Sequence, residues 1–193
     1  MNAFPQREVR ALLRCPACRA PTLQDSAAGL SCASCQRRYP IDNGVIDLRT
    51  SGSTQYVHPF YVSSYSRVFA EKYALLHQEH YRPGSFSNWI EGSMKRALRA
   101  LRISTNSLVV ELGCGGTPMA DWGGHSAGYV GVDQSMELLQ WAKSAYPDAT
   151  FIAAELHSLP FVDRCLSVVI ANAVLEHVSV SKSASRRLRA VSA

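Results

Sequence analysis

Four short apolar runs, each followed by a helix-length stretch, occupy the second half of the chain. They cover residues 108–110, 128–132, 150–153 and 166–171, and each leads into a glycine or a polar residue. Apolar strands that alternate with helices form parallel sheets, because a parallel connection must cross over the sheet. Such sheets are covered on both faces, which explains the continuous apolar runs. The pattern predicts an α/β fold.

The middle of the chain shows helical periodicity instead. Apolar residues at 61–76 recur at three- and four-residue steps until the Pro-Gly pair at 83–84 ends the pattern. A second apolar stripe, from Trp89 to Leu101, predicts another amphipathic helix. We interpret both stripes as core packing.

The first fifty residues are rich in cysteine and turns. Two Cys-x-x-Cys pairs, at 15–18 and 32–35, are thirteen residues apart, and the predicted metal ligands are Cys15, Cys18, Cys32 and Cys35. Four thiolates satisfy a tetrahedral Zn²⁺ completely, so such a site is structural. Metal binding, worth roughly 10–16 kcal/mol in small sites of this kind, would fold a segment with so few large apolar side chains. Disulfide pairing is the alternative, which a cytosolic chain disfavours.

Composition excludes several classes of protein. The 193 residues are 47% hydrophobic and 18% charged, as expected for one full domain, or one domain with a small appendage, rather than for a disordered chain. No apolar run approaches the roughly 18 residues that span a bilayer, and the first residues lack a secretory signal. We therefore expect a cytoplasmic protein without a membrane partner. The formal charge of +5 permits weak binding to nucleic acid without requiring it.

A further run follows the cysteines. It reads Tyr-Pro-Ile at 39–41 and Gly-Val-Ile-Asp-Leu at 44–48. Together with the two cysteine pairs, it resembles the Trm112-like zinc-ribbon family, in which these runs form a strand and a turn that close the ribbon. The resemblance implies a small recognition or scaffolding module.

A glycine turn and an acidic strand end predict a ligand with a ribose. Glu-Leu-Gly-Cys-Gly-Gly at 111–116 follows the first apolar run, and glycines let the backbone approach a ligand closely. Asp133 ends the next run twenty residues after Gly113, a separation that places a carboxylate over a ribose diol. A dinucleotide fingerprint would need a third glycine where Pro118 stands, which argues against NAD or FAD.

Four motifs in order, at 111–116, 131–136, 154–161 and 174–178, resemble class I S-adenosylmethionine-dependent methyltransferases of the type 11 group. The resemblance implies a Rossmann-like sheet with strands ordered 3-2-1-4 as far as strand 4. It also implies Glu111 near the cofactor's ammonium group, Asp133 on the ribose hydroxyls and Glu155, where the family usually has Asp, on the adenine amino group. The cofactor-binding residues that we predict are Glu111, Gly113, Cys114, Gly115, Asp133, Gln134, Glu155, Leu156 and Asn172.

An acceptor that must lose a proton needs a base near the strand ends. The polar residues closest in sequence to those ends are Asn172, His177 and His157. They are our candidates for a catalytic role.

These patterns divide the chain into three parts. A zinc-ribbon module covers 1–50, a helical linker or lid region covers 51–106, and a Rossmann-like half-domain that binds S-adenosylmethionine covers 107–193. No strand-length apolar run follows Val178, so we expect a C-terminally truncated sheet of strands 1–4 only. Strand 4 would then be an open edge, which a homodimer or a partner chain would cover.

The expected function is methyl transfer from S-adenosylmethionine to an unknown acceptor. A small molecule is favoured over an rRNA base, because the net charge is moderate and the ribbon lacks a basic stripe with interleaved aromatics. The alternative is a catalytically inactive, truncated methyltransferase that acts as a zinc-ribbon interaction protein.

Overall fold

The structure is a computed structural model, and it describes the chain in several segments. These are residues 6–50, 83–85, 107–116, 128–172, 174 and 189–192, together with residues 89, 92–93, 96–97, 100–101 and 103. The helices are α1 (Gln6–Ala11) and α2 (Met136–Ala145), and the strands are β1 (Gln24–Ser26), β2 (Gly29–Ser31), β3 (Arg38–Asp42), β4 (Val45–Asp47), β5 (Leu108–Leu112), β6 (Gly128–Asp133), β7 (Thr150–Ala153) and β8 (Val168–Ala171). Within these segments, no helix is long and apolar enough to cross a membrane.

The strands form one sheet in the order β1-β2-β3-β4-β7-β6-β5-β8. The last four lie at the four predicted apolar runs, and every contact among them is parallel. Their spatial order, β7-β6-β5-β8, is the predicted order 3-2-1-4. The α/β class is therefore confirmed.

The sheet is larger than the sequence predicted. We expected four strands preceded by helices and a small zinc ribbon, but β1 to β4 belong to the same sheet, which has eight strands within the described residues. Strand β4 pairs in parallel with β7, from Val45 opposite Phe151 to Asp47 opposite Ala153. An edge strand presents unpaired backbone groups that a second strand can satisfy, and β4 satisfies those of β7. The expected strand count was wrong for this reason.

The ribbon and the parallel strands share a hydrophobic core. The Arg14 N–H donates to the Pro160 carbonyl and the Val162 N–H donates to the Leu12 carbonyl, both at 2.9 Å. Fully buried side chains from both parts pack in one cluster, which includes Leu13, Leu30, Leu48, Val110, Val132, Ile152 and Phe161. The N-terminal segment therefore shares one hydrophobic core with the parallel strands.

Helix α2 covers the other face of the sheet. It begins where the Ser135 hydroxyl accepts a hydrogen bond from the Leu138 N–H, an N-cap that satisfies one of the free donors of a helix start. Its buried face includes Leu139 and Ala142, which pack in one cluster with Val45 and Phe151. The helix thereby holds β4 against β7.

The last described residues return to the sheet. The Arg164 N–H donates to the Ala190 carbonyl at 2.8 Å and the Leu166 N–H donates to the Val191 carbonyl at 3.0 Å. The side chain of Val191 is fully buried. A lone valine in a polar, basic tail gives no periodic signal, which is why the sequence did not predict this packing.

The second helical stripe is only partly described. Its helical hydrogen bonds include the Leu101 N–H to the Ala97 carbonyl at 3.2 Å. Trp89 is 63% exposed and Leu101 is 68% exposed, so the expectation that both pack in the core was wrong. The first stripe, at 61–76, lies outside the described residues.

Candidate functional site

The glycine turn follows β5 in a conformation that requires glycine. Gly113 and Gly115 have φ of 69° and 57°, in the left-handed region that L side chains rarely adopt. The Gly113 N–H donates to the Val132 carbonyl at 2.7 Å, and a Cβ on Gly113 would overlap the Val174 side chain. The turn is therefore held tightly at the carboxyl end of β5, where the backbone can approach a ligand.

Asp133 lies at the carboxyl end of β6, beside this turn. Its two carboxylate oxygens accept hydrogen bonds from the Gly115 N–H and the Ser135 N–H, each at 2.9 Å. Burial raises the pKa of Asp133 above its ordinary value of 3.8, while the backbone N–H groups of Ser135, Gly115 and Gln134 oppose the rise. The fold thus brings together Gly115 and Asp133, which the sequence predicted to act at one site.

Glu111 is buried in β5 and accepts a hydrogen bond from the Tyr129 hydroxyl on β6. Burial raises the pKa of Tyr129 well above its ordinary value, and the nearby Cys114 and Glu111 raise it further. Sequence reasoning missed Tyr129. Its position opposite Val109 in the β5–β6 pairing follows only from the register.

Cys114 lies between the two glycines of the turn and is buried. Burial raises the pKa of its thiol well above the ordinary value, and the carboxylates of Asp133 and Glu111 add to the rise. The thiol therefore stays protonated and is unsuited to act as a nucleophile, because the thiolate is the reactive form.

The remaining predicted cofactor residues lie along the same edge of the sheet. Glu155 follows β7, is 1% exposed and accepts hydrogen bonds from Thr50, the residue at which the described N-terminal segment ends. The carbonyl of Gln134 lies 3.4 Å from a guanidinium nitrogen of Arg49. Leu156 begins a 3-10 turn and packs against the core. The contacts of these residues with a cofactor stay predictions.

The candidate bases are distributed differently. Asn172 is exposed directly after β8, at the same edge as the glycine turn. His157 is exposed in the 3-10 turn after β7. His177 lies outside the described residues. Their catalytic roles stay predictions.

The four cysteines of the ribbon lie together. Their Sγ atoms are all within 4.8 Å of one another, with 3.6 Å between Cys15 and Cys35 and 3.5 Å between Cys18 and Cys32. Tetrahedral coordination with Zn–S bonds of about 2.3 Å would place sulfur atoms about 3.8 Å apart, so the spacing fits a zinc ion. All six cysteines of the chain are free thiols, so the disulfide alternative is not what the structure has.

Matching backbone turns present these thiols. The Arg19 N–H donates to the Cys15 carbonyl and the Gln36 N–H donates to the Cys32 carbonyl, both at 2.9 Å. The Tyr39 hydroxyl lies 3.1 Å from Cys15 Sγ. Burial opposes ionisation of Cys15, but hydrogen bonds from Tyr39 and from backbone N–H groups outweigh it and lower the pKa of Cys15 to about 6. At Cys18 the shift is opposite: a backbone hydrogen bond from Ala20 lowers its pKa, but burial and hydrogen bonds with Cys32, Cys15 and Cys35 outweigh it and raise the pKa. The first thiolate therefore forms at Cys15, and its neighbours resist further ionisation.

Two known families resemble parts of the chain. Residues 110–192 match the methyltransferase domain family, and residues 7–44 match the Trm112p-like protein family. Two family models therefore match different parts of the chain, and neither covers half of it. No curated protein matches the chain significantly.

Several solved structures with a similar fold carry methyltransferase names. A protein from Methanococcus maripaludis, to which S-adenosylmethionine-dependent methyltransferase activity is ascribed, has a TM-score of 0.53 at 9% identity, covering 74% of this chain and 62% of that protein. A TehB-like methyltransferase from Corynebacterium glutamicum has a TM-score of 0.54 at 14% identity, covering 66% of this chain and 68% of that protein. Phosphoethanolamine N-methyltransferase 2 from Haemonchus contortus has a TM-score of 0.50 at 16% identity, covering 68% of this chain and 32% of that protein.

These likenesses concern the fold, because all three identities are low. The chain spans less than two thirds of the length of the Methanococcus maripaludis protein, at 62%. The comparisons thus establish the methyltransferase fold.

Proposed function

We propose that this chain binds S-adenosylmethionine and transfers its methyl group to an acceptor. The supporting observation is the Asp133 carboxylate, which the N–H groups of Gly115 and Ser135 fix beside the glycine turn. Ligands of open α/β sheets bind at the carboxyl ends of the strands, which is where this arrangement lies.

The proposed roles follow from the positions of the residues. The turn at Gly113 and Gly115 lets the backbone pass close to the methionine part of the cofactor. Asp133 accepts hydrogen bonds from the ribose hydroxyls, and Glu111, oriented by Tyr129, faces the ammonium group. When bound, the cofactor supplies a methyl group on a positively charged sulfur, and the protein contributes chiefly by holding the acceptor in line and excluding water.

For the ribbon we propose a structural zinc ion. Cys15, Cys18, Cys32 and Cys35 would hold it as a closed set of four ligands, with no open position for catalysis. Such a site needs reduced thiols, which supports a cytoplasmic location. Among the described strands, β8 pairs only with β5, and we propose that a homodimer partner or another chain covers its outer edge.

As acceptor we propose a small molecule rather than RNA. Three arginines of the N-terminal segment are already paired with carboxylates: Arg10 with Asp25, Arg14 with Asp163, and Arg49 with Asp47. RNA binding draws on positive charge available to phosphates, and these pairs reduce it. A strongly salt-dependent affinity for structured RNA would reverse this choice.

The test is calorimetric titration of the zinc-loaded chain with S-adenosylmethionine and with S-adenosylhomocysteine. We expect both to bind and Asp133→Asn to weaken both by about tenfold or more, because the change removes a charge-assisted hydrogen bond. Asp148→Asn is the matched control, because Asp148 is exposed before β7, at the opposite edge of the sheet.

Failure of the folded, zinc-loaded protein to bind either ligand would overturn the proposal. The alternative, an inactive interaction protein, would then be favoured. Binding that is equal in Asp133→Asn and Asp148→Asn would show that the cofactor lies elsewhere.

A further inference from the structure

The N-terminal segment reaches the edge of the sheet where the cofactor is proposed to bind. Strand β4 runs parallel to β7, so both strands end at the same edge. The pairing continues past β4, since the Leu48 N–H donates to the Ala153 carbonyl at 2.8 Å. The two residues that follow, Arg49 and Thr50, therefore lie beside the ends of β6 and β7.

Thr50 is held there by Glu155. Its N–H lies 3.1 Å and 3.2 Å from the two carboxylate oxygens, and its hydroxyl lies 3.4 Å from one of them. Glu155 is 1% exposed. A buried carboxylate needs donors to offset its desolvation, and Thr50 supplies two of them.

Arg49 makes the second connection between the N-terminal segment and the proposed cofactor site. Its guanidinium donates to both carboxylate oxygens of Asp47, at 2.8 Å and 2.6 Å, and a third nitrogen lies 3.4 Å from the Gln134 carbonyl. The chelating ion pair fixes the guanidinium plane. Gln134 directly follows Asp133, so Arg49 is fixed next to the proposed ribose site.

We propose that Glu155 is a positioning residue, which anchors Thr50 so that Arg49 and Thr50 form a wall of the adenosine site. Glu155 does not itself accept the adenine amino group. This inference rests on the proposed cofactor binding and assigns the N-terminal segment a direct part in it.

The experiment compares S-adenosylhomocysteine with its analogue that has hydrogen in place of the 6-amino group. Both are titrated into the wild type, Glu155→Ala and Glu155→Gln, the last of which keeps the side-chain volume. We expect each variant to weaken the two ligands by the same factor, about tenfold for Glu155→Ala, because a buried charged hydrogen bond is lost. A preference for the amino ligand that disappears in Glu155→Ala would overturn the proposal.

A double-mutant cycle tests the link from the other side. Thr50→Pro removes the N–H and leaves Glu155 in place, while Thr50→Ala keeps the N–H and removes only the hydroxyl, the longer of the two hydrogen bonds, so it should lose less affinity than Thr50→Pro. We expect Thr50→Pro to lower the affinity for S-adenosylhomocysteine as much as Glu155→Ala does. The double variant should bind no more weakly than either single variant, since the two residues act as one unit. Additive losses would contradict the link.

Hydrogen exchange separates this inference from the proposed function. Without any ligand, we expect the Thr50 amide to be protected from exchange in the wild type and to exchange faster in Glu155→Ala. Equal exchange of Thr50 in both proteins would overturn the anchoring role. If the wild type binds neither ligand while the exchange difference is present, the proposed function fails and the claim about the adenosine wall fails with it, but the anchoring stands.

Discussion

Several polar side chains of the protein are buried, two of them at the proposed site. Within the described segments, the buried polar or charged residues are Glu111, Ser135, Thr150 and Glu155. Burying such a group is costly unless it is hydrogen-bonded. Glu111 has Tyr129 and Glu155 has Thr50 as donors. The loss in free energy of unfolding when a donor is removed therefore tests each of these hydrogen bonds directly.

Tyr129→Phe removes the hydroxyl that donates to Glu111. We expect the free energy of unfolding to fall by about 1–3 kcal/mol, because a buried carboxylate loses a partner. Chemical denaturation measures this loss. Glu111→Gln in the same protein should recover part of it, since a neutral amide is less costly to bury. No recovery would mean that the loss comes from packing rather than from the carboxylate.

Gly131→Ala introduces a methyl group where the sheet has no room. A Cβ at Gly131 would lie 2.7 Å from the Phe151 ring and 2.8 Å from Cys114 Sγ. We expect a loss of about 1–3 kcal/mol in unfolding free energy, as for overpacked cores. Gly92→Ala is the control, because its nearest neighbour is the end of the Arg96 side chain at 3.4 Å. Equal melting temperatures of the two variants would contradict the expectation.

The affinity for S-adenosylhomocysteine should depend on pH through Asp133. Burial raises the pKa of this carboxyl above 3.8, so it becomes protonated at a higher pH than an ordinary aspartate. Affinity should be constant near neutrality and decrease as the pH falls through the raised pKa, because the ionised form accepts from the ribose. The contribution of Asp133 to the stability of the free protein has the opposite pH dependence. Because its pKa is raised in the folded state, the carboxyl stabilises the fold at low pH, and this stabilisation is lost as the pH rises through the raised pKa.

Titrations at several pH values measure the dependence. Asp133→Asn should bind weakly with no such decrease over the same range. A wild-type affinity that is independent of pH down to 3.8 would contradict the role of the carboxylate.

Among the elements, α2 and β4 connect the two parts of the chain. The helix packs its buried face on Phe151 and Val45, which belong to neighbouring strands from different parts of the sequence. Its start is fixed by Ser135, whose N–H also donates to Asp133. One residue therefore joins the helix start to the site.

Ser135→Ala tests this helix start. Loss of an N-cap hydroxyl costs about 1 kcal/mol, and we expect this decrease in the free energy of unfolding. Ser144→Ala is the control, because Ser144 is an exposed residue whose hydroxyl donates to the Trp141 carbonyl within the helix. A loss for Ser144→Ala as large as that for Ser135→Ala would contradict the capping role.

For the whole molecule, the shared core predicts that metal and fold are coupled. Cys15 and Cys32 are buried in the same cluster as Val110 and Ile152. Removal of zinc by a chelator should lower the melting temperature of the entire protein in one transition, because metal binding contributes to folding. Two separate transitions in calorimetry would contradict the single core.

A pair of variants controls for the chelator. Cys18→Ser should lower the melting temperature without chelator, since it removes one proposed ligand. Cys165→Ser should remain sensitive to the chelator, because Cys165 does not belong to the four-cysteine cluster.

The sequence by itself determined the parallel strands, the glycine turn with Asp133 and the four-cysteine cluster. These follow from local patterns: apolar runs, residues that permit a left-handed turn, and short spacings between ligands. The tertiary structure alone decided that β4 joins β7, that Tyr129 meets Glu111, that Thr50 meets Glu155 and that Val191 is buried. Each of these contacts joins residues distant in sequence or set by strand register, and no local pattern encodes which edge of a sheet a distant strand will pair with.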